Sequence, residues 1–276
     1  AYKDNTDTQD LSFDSSTKVL SLTDGGTVDL SGFSSSSGAS SLNGLTDVLV
    51  EDNSIYLGNN PSSTTSTAQY NIAVGTTALD AITTGDENVA VGYGSLGANT
   101  EGTSNTAVGK NALLINTDGN YNVAIGSGAL DSNTGGDQNT AVGHGSLQAN
   151  STGGQNTAVG VAALYVNTTG AYNSAVCLNA LYRNTTGNNN TSVGYESMLT
   201  NTTGGSNTAI GDDAMYSNST GNSNTALGRG ALYSNTTASN NIAVGYQSLK
   251  GNTTGTENVA VGVNALESNT TGDSSI

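Results

Sequence analysis

Asn156–Tyr172 reads N-T-A-V-G-V-A-A-L-Y-V-N-T-T-G-A-Y, and Asn173–Asn189 reads N-S-A-V-C-L-N-A-L-Y-R-N-T-T-G-N-N. The second stretch repeats the first, with Asn173 standing where Asn156 stood, so the unit is a 17-residue one. Outward from this pair the phase holds in both directions. Twelve units run without insertion from Asn71 to Ser274. Their consensus is N-T-A-V-G-x-x-A-L-x-x-N-T-T-G-x-x. A fixed period held over this length marks a stacked repeat architecture, not a globular core.

Few positions vary. Position three is Ala except for Ser192, and position four is Val or Ile except for Leu227. Position five is Gly except for Cys177, and position nine is Leu except for Met198 and Met215. Position twelve is Asn except for Ile82, and position fifteen is Gly except for Ala238. N-T-A-V is short and partly β-branched, which suits a strand. Gly at position five permits a tight corner or close backbone approach. N-T-T-G supplies turn chemistry, with Gly able to take φ > 0. The A-L pair is expected to begin a second short strand. Two helices do not fit into a single unit that also contains this turn.

One unit is therefore read as one coil of an all-β, parallel β-roll or β-solenoid. Stacking pairs each strand with its copy in the next coil, at about 4.8 Å. The asparagines at positions one and twelve are expected to form ladders, bonding to backbone or to one another. Ala and Val at positions three and four must point to opposite faces of a strand. The same is expected of Ala or Ser and Leu at positions eight and nine. Apolar rows then face outward as well as inward, and such stripes mark interfaces. Association of parallel copies is the expected outcome.

Composition agrees with this reading. The 276 residues include 37 Gly and only 10% charged residues. Six Lys and Arg against 22 Asp and Glu give a net charge of −16, and no basic cluster exists to hold phosphates. Nucleic acid is not an expected partner. His144 and Cys177 are the only residues of their types, so a Cys/His metal site lacks ligands. No apolar run approaches the length of roughly 18 residues that marks a membrane-span candidate. AYKDNTDTQD does not read as a signal peptide.

Residues 1–70 lack the repeat and hold 9 acidic and 2 basic residues. D-L-S-F, K-V-L-S-L and T-V-D-L-S read as strands of a small β-meander over residues 1–32, with turns at D-S-S-T and T-D-G-G. Residues 33–70 read as a flexible connector and neck with short strands at L-T-D-V-L-V and S-I-Y-L-G. Residues 71–276 are the roll. A thirteenth unit opens at Ser275 and Ile276, as expected of a fragment or a cleaved product.

Chemistry finds little purchase. Asp86–Glu87 and Asp212–Asp213 are adjacent carboxylates in variable turn positions, read as solvated turns and not as acid/base pairs. The G-G-x-G-x-D pattern of calcium-binding rolls is missing. His144 is read as a surface corner residue and Cys177 as a small buried one. Tyr165, Tyr182, Tyr216 and Tyr233 share position ten and are expected to form an interrupted ladder that packs between chains or stacks on sugar. N-T-T at Asn167, Asn184, Asn201, Asn235, Asn252 and Asn269 matches glycosylation sequons but is read as the turn consensus. No catalytic, cofactor-binding or metal-binding residue is assigned, and no cofactor is expected.

The core N-[TSVI]-A-[VI]-G-x-x-[AS]-[LM], as in Asn122–Leu130 and Asn241–Leu249, resembles head repeats of trimeric autotransporter adhesins. That resemblance implies a left-handed roll with three chains around one axis. The longer unit with A-L-x-x-N-T-T-G looks more like fibre proteins of tailed, especially marine, bacteriophages. The L-S-F-D-S-S-T-K-V-L-S-L and S-I-Y-L-G-N-N-P stretches share the likeness. It implies a homotrimeric virion fibre, tail or capsid appendage, that presents a host-attachment surface and joins other virion proteins through its N-terminal region. A host glycan or protein receptor is the implied ligand, and the implied location is the virion surface. The alternatives are a bacterial trimeric adhesin head, extracellular or on the cell surface, and a glycan-cleaving tailspike. The tailspike would need a cleft of opposed carboxylates, which the uniform coils do not suggest.

Overall fold

In the computed structural model the described residues are 11–14, 19–22, 27–29, 48–51, 53–58, 61 and 65–276. Two units result, residues 1–48 and 49–276. In the first, strands β1 (Leu11–Asp14), β2 (Val19–Leu22) and β3 (Thr27–Asp29) form an antiparallel meander with Leu11 opposite Leu22 and Val19 opposite Asp29. The expected turns at D-S-S-T and T-D-G-G, and the Ser-rich connector, lie outside the described residues apart from Asp14.

The second unit is one 14-stranded sheet in sequence order. It opens with β4 (Val48–Glu51) and β5 (Ser54–Leu57). Each repeat then adds one three-residue strand at positions two to four. These are β6 Ile72–Val74, β7 Val89–Val91, β8 Thr106–Val108, β9 Val123–Ile125, β10 Thr140–Val142 and β11 Thr157–Val159. β12 Ser174–Val176, β13 Thr191–Val193, β14 Thr208–Ile210, β15 Thr225–Leu227, β16 Ile242–Val244 and β17 Val259–Val261 complete it. Every repeat strand pairs in parallel with its copy one coil away, so Ala141 stands beside Ala124 and Ala158. The parallel β-solenoid is as read. It also takes in residues upstream of Asn71. Ile55 stands in register with Ile72, one repeat length on, and Ser54 Oγ accepts from the Asn71 amide at 2.9 Å.

There is one strand per coil, not two. The A-L segment is a chain of turns. Position seven has positive φ in every repeat, and so does position nine, where Leu or Met sits between +49° and +54°. Left-handed residues at alternate positions curl the backbone and abolish the pleat. Ala or Ser at position eight and Leu or Met at position nine therefore both turn inward, and both are buried in the first eleven repeats. The expectation that they face opposite ways fails for this reason. The interior is a column of Ala at three, Ala or Ser at eight and Leu or Met at nine. Ser192, the exception at position three, is buried and donates its hydroxyl to the Ser197 carbonyl at 2.8 Å.

The expected asparagine ladders are present, and the position-one row is buried from Asn71 to Asn258. Asn139 shows its pattern. The Asn139 amide and Nδ2 both donate to Asn122 Oδ1, at 2.9 and 3.2 Å, and Nδ2 also reaches the Gly153 carbonyl at 2.9 Å. At position twelve, Asn150 Nδ2 donates to Asn133 Oδ1 and to the same Gly153 carbonyl, both at 2.8 Å. Both rows thus converge on the carbonyl at position fifteen and close the coil.

The two glycine rows serve different ends. At position five the glycine φ lies between +130° and +140°, and a Cβ on Gly160 would stand 2.5 Å from the Cys177 carbonyl oxygen. Position fifteen does not use φ > 0. Its glycine is needed for space, since a Cβ on Gly153 would collide with the Gly170 oxygen and stand 2.5 Å from Asn150 Oδ1. Nothing in the structure explains how Ala238 is tolerated in that row.

Removing one ladder member leaves buried partners unbonded. Asn156→Ala strips the Asn173 amide and Nδ2 of Asn156 Oδ1, and takes the Nδ2 donor away from Asn139 Oδ1 and from the Gly170 carbonyl. A loss of about 2–3 kcal/mol is expected in chemical denaturation, against less than about 0.5 kcal/mol for exposed Thr169→Ala. Cys177 occupies a glycine slot with φ of 107°. Cys177→Gly should therefore raise stability by about 1 kcal/mol, whereas Gly160→Ala should lower it by more than that.

Candidate interaction surface

The strand face opposite the core is built from positions two and four. Ala at position three points inward and is buried, so its neighbours on either side must point out. Position four contributes an unbroken Val, Ile and Leu row, half-buried or exposed along its length. Position two adds Ile, Val, Thr and Ser. None of these outward positions carries a charge in any repeat. The acids sit instead in corners and turns, at positions six, seven, ten, fourteen, sixteen and seventeen.

The carboxylate pairs do not converge on a cleft. Asp86 Oδ1 accepts from the Gln69 amide at 2.7 Å, and Glu87 Oε2 accepts from Ser104 Oγ at 3.0 Å. Both link neighbouring coils. The same clamp recurs at position sixteen, where Asp137 takes the Asn120 amide and Asp273 the Thr256 amide, each at 2.7 Å. Sequence reading missed this role; the signal was the recurrence of Asp and Asn at position sixteen. Hydrogen bonding from Thr256 holds the Asp273 carboxyl below its ordinary range.

Asp212 and Asp213 diverge. Asp212 Oδ2 lies 3.7 Å from Arg229 Nε on the surface. Partial burial, then the charges of Asp212 and Glu196, raise Asp213, with Arg229 opposing. A carboxyl raised by folding stabilises the fold when protonated, and that stability is lost as pH rises through its folded pKa. Asp213→Asn should thus be more stable than the parent at neutral pH, and the gap should close as pH falls through the carboxylate range. Melting temperatures across that range test it.

His144 is an exposed corner residue, with Nδ1 2.9 Å from the Ser127 carbonyl oxygen. Cys177 is exposed, not buried as read, because position five lies on the corner. Among the described residues, no group of three His, Cys, Asp or Glu side chains is placed to hold a metal ion. No helix among them is long and apolar enough to cross a membrane.

The tyrosine ladder forms as two stacks. Tyr165 and Tyr182 lie 5.1 Å apart at 6°, and Tyr216 and Tyr233 lie 5.1 Å apart at 10°. Rings stacked along the axis cover each other's faces. They present edges, which suits packing better than a sugar platform. The sequon asparagines Asn167, Asn184, Asn201, Asn235 and Asn252 are fully buried, and their Nδ2 atoms are spent on the ladder. Acceptance of a glycan there would require the coil to open. A shallow depression of 260 Å³ between Asp137, Gln155 and Tyr172 is smaller than the usual ligand pocket.

Comparison with protein-family models, curated proteins and solved structures finds no match to the chain. The uncharged strand face and its borders therefore carry the functional argument.

Proposed function

We propose that the chain is a structural fibre or appendage protein of a virion, a left-handed homotrimeric roll that holds a host-attachment surface away from the particle. The observation that carries this is the uncharged strand face, which runs through all twelve repeats. Exposed apolar stripes of this length are disfavoured in water, and burial between parallel copies removes them. Three copies around one axis bury each stripe and leave the acids outside, where mutual repulsion favours solubility. The ladders make each coil lean on the next, which supplies a rod. Function then follows from reach and from repeated weak contacts that sum by avidity.

The resemblance to phage fibres favours the virion, with other virion proteins met through the N-terminal region. The N-x-A-V-G core is shared with adhesin heads and supports a bacterial surface adhesin as the second reading. The role proposed is non-enzymatic. Incubation with host surface polysaccharide should release no oligosaccharide, and sustained release would refute it.

Light scattering at micromolar concentration should give three times the mass of a single chain, in a particle elongated by electron microscopy. A charge within the stripe, Val142→Lys with Val159→Lys, should shift the mass toward monomer. A monomeric parent chain would contradict the proposal.

A further inference from the structure

The 17-residue coil carries a slower period of three coils. Position eight is Ser at Ser95, Ser146, Ser197 and Ser248 and Ala in every other repeat. Position six carries an aromatic ring at Tyr93, His144, Tyr195 and Tyr246 and at no other repeat. Both sets mark every third coil, in the same phase. Position seventeen follows the same spacing over the first half of the stack, with Tyr70, Tyr121 and Tyr172 three coils apart and Ser223 and Ser274 at the next two places. Three coils advance about 14 Å along the axis.

Two features separate this from compositional noise. The buried serine hydroxyl donates to the carbonyl of the glycine just before each ring: Ser95 to Gly92 at 2.9 Å, Ser146 to Gly143 at 2.9 Å, Ser197 to Gly194 at 3.2 Å and Ser248 to Gly245 at 3.0 Å. It fastens the peptide that carries the ring. Tyr70, Tyr121 and Tyr172 have φ of 58–59°, a left-handed conformation that disfavours bulky side chains. Other coils place Ser, Asn, Gln or Glu there. Backbone preference does not select these rings, and Tyr121 is 61% exposed.

The two ring rows border the uncharged face on either side. Position seventeen lies just ahead of each strand, and position six just beyond it. Rings precede β6, β9 and β12; rings follow β7, β10, β13 and β16. The face between them is nearly uniform, so a neighbouring copy could slide by one coil and meet the same apolar row again. Uniform strands specify register weakly. Something on the borders has to distinguish one coil from the next.

We propose that the ring rows are a register code for association of this chain with a second copy of itself. The proposal rests on the parallel self-association argued above. Around a rotation axis the leading border of one copy faces the trailing border of the next, with no stagger. Each position-six ring then faces the position-seventeen residue that precedes the same strand. Those residues are Glu87, Gln138, Asn189 and Asn240, all exposed and all bearing an oxygen that accepts from a ring O–H or N–H. A one-coil slip in one sense sets the shorter Ser104 and Ser206 opposite two of the four rings, and in the other sense sets Tyr70, Tyr121 and Tyr172 opposite three of them, ring against ring. Only slips of three coils restore the phase.

Disulfide trapping in full-length Cys177→Ser protein tests this. Tyr195→Cys is combined with Asn189→Cys, Ser206→Cys or Ser223→Cys, which report stagger of zero, one and two coils. Within one chain the intervening strand holds the pair members too far apart to bridge. The Asn189 pair should give covalent oligomers in at least tenfold excess over the other two. Replacing the remaining rings of both rows, by Tyr93→Ser, His144→Ser and Tyr246→Ser with Tyr70→Ser, Tyr121→Ser and Tyr172→Ser, should level the three yields. Equal yields with those rings present, dominance of another pair, or a preference that survives their removal would overturn the code. Absence of cross-links in all three pairs, with monomers by light scattering, would instead remove the self-association beneath it.

Discussion

The structure depends on a buried amide that must find its partner one coil away. Each position-one asparagine gives its carbonyl oxygen to the next asparagine's main chain and side chain, while its own Nδ2 holds the position-fifteen carbonyl. The position-twelve row does the same with fewer bonds. Coil five contains five such bonds, worth about 1 kcal/mol each when made. Its one large apolar core residue, Leu147, contributes about 2–3 kcal/mol. A narrow coil therefore owes at least as much to polar ladders as to oil. Unmade, the same buried amides would cost more than they contribute.

That constraint explains the invariance of the 17-residue spacing. An insertion would move one asparagine out of line with its neighbours and strand several donors together. It also explains the glycine rows. Ladder bonding draws successive coils so close that a methyl group at position fifteen would collide with an asparagine oxygen and the next carbonyl. The left-handed turns at positions seven and nine follow from the same tightness. Leucine is held where it is disfavoured because the turn sends Ala and Leu inward together.

Much of this was legible in the residues. N-T-A-V and the fixed phase indicated parallel strands, and invariant asparagines indicated ladders. The A-L segment was misread because its pattern shows no turn signal. Leu and Met with positive φ leave no trace in composition, and only the surrounding bonds impose that conformation. Gly at position fifteen was assigned to conformational freedom, yet it answers to crowding between coils that a single unit does not reveal. Cys177 reads as a small buried residue in the place of a glycine, although position five itself reads as a corner; the corner leaves it exposed. The outward apolar face followed from strand alternation at Ala141 and Val142 alone. The bordering rings did not, since their period emerges only when twelve coils are aligned and the two edges of one face are compared.

Hydrogen exchange read residue by residue tests the ladder account most directly. The amides of Asn122, Asn139, Asn156, Asn173 and Asn190 are bonded only to side-chain oxygens of the preceding coil. If the ladders hold the stack, these amides exchange as slowly as the strand amides of Thr140 and Thr157, which are bonded to backbone. Exchange at the rate of the exposed corner residues Ser127 and His144 would show that the asparagines decorate the coils instead of holding them.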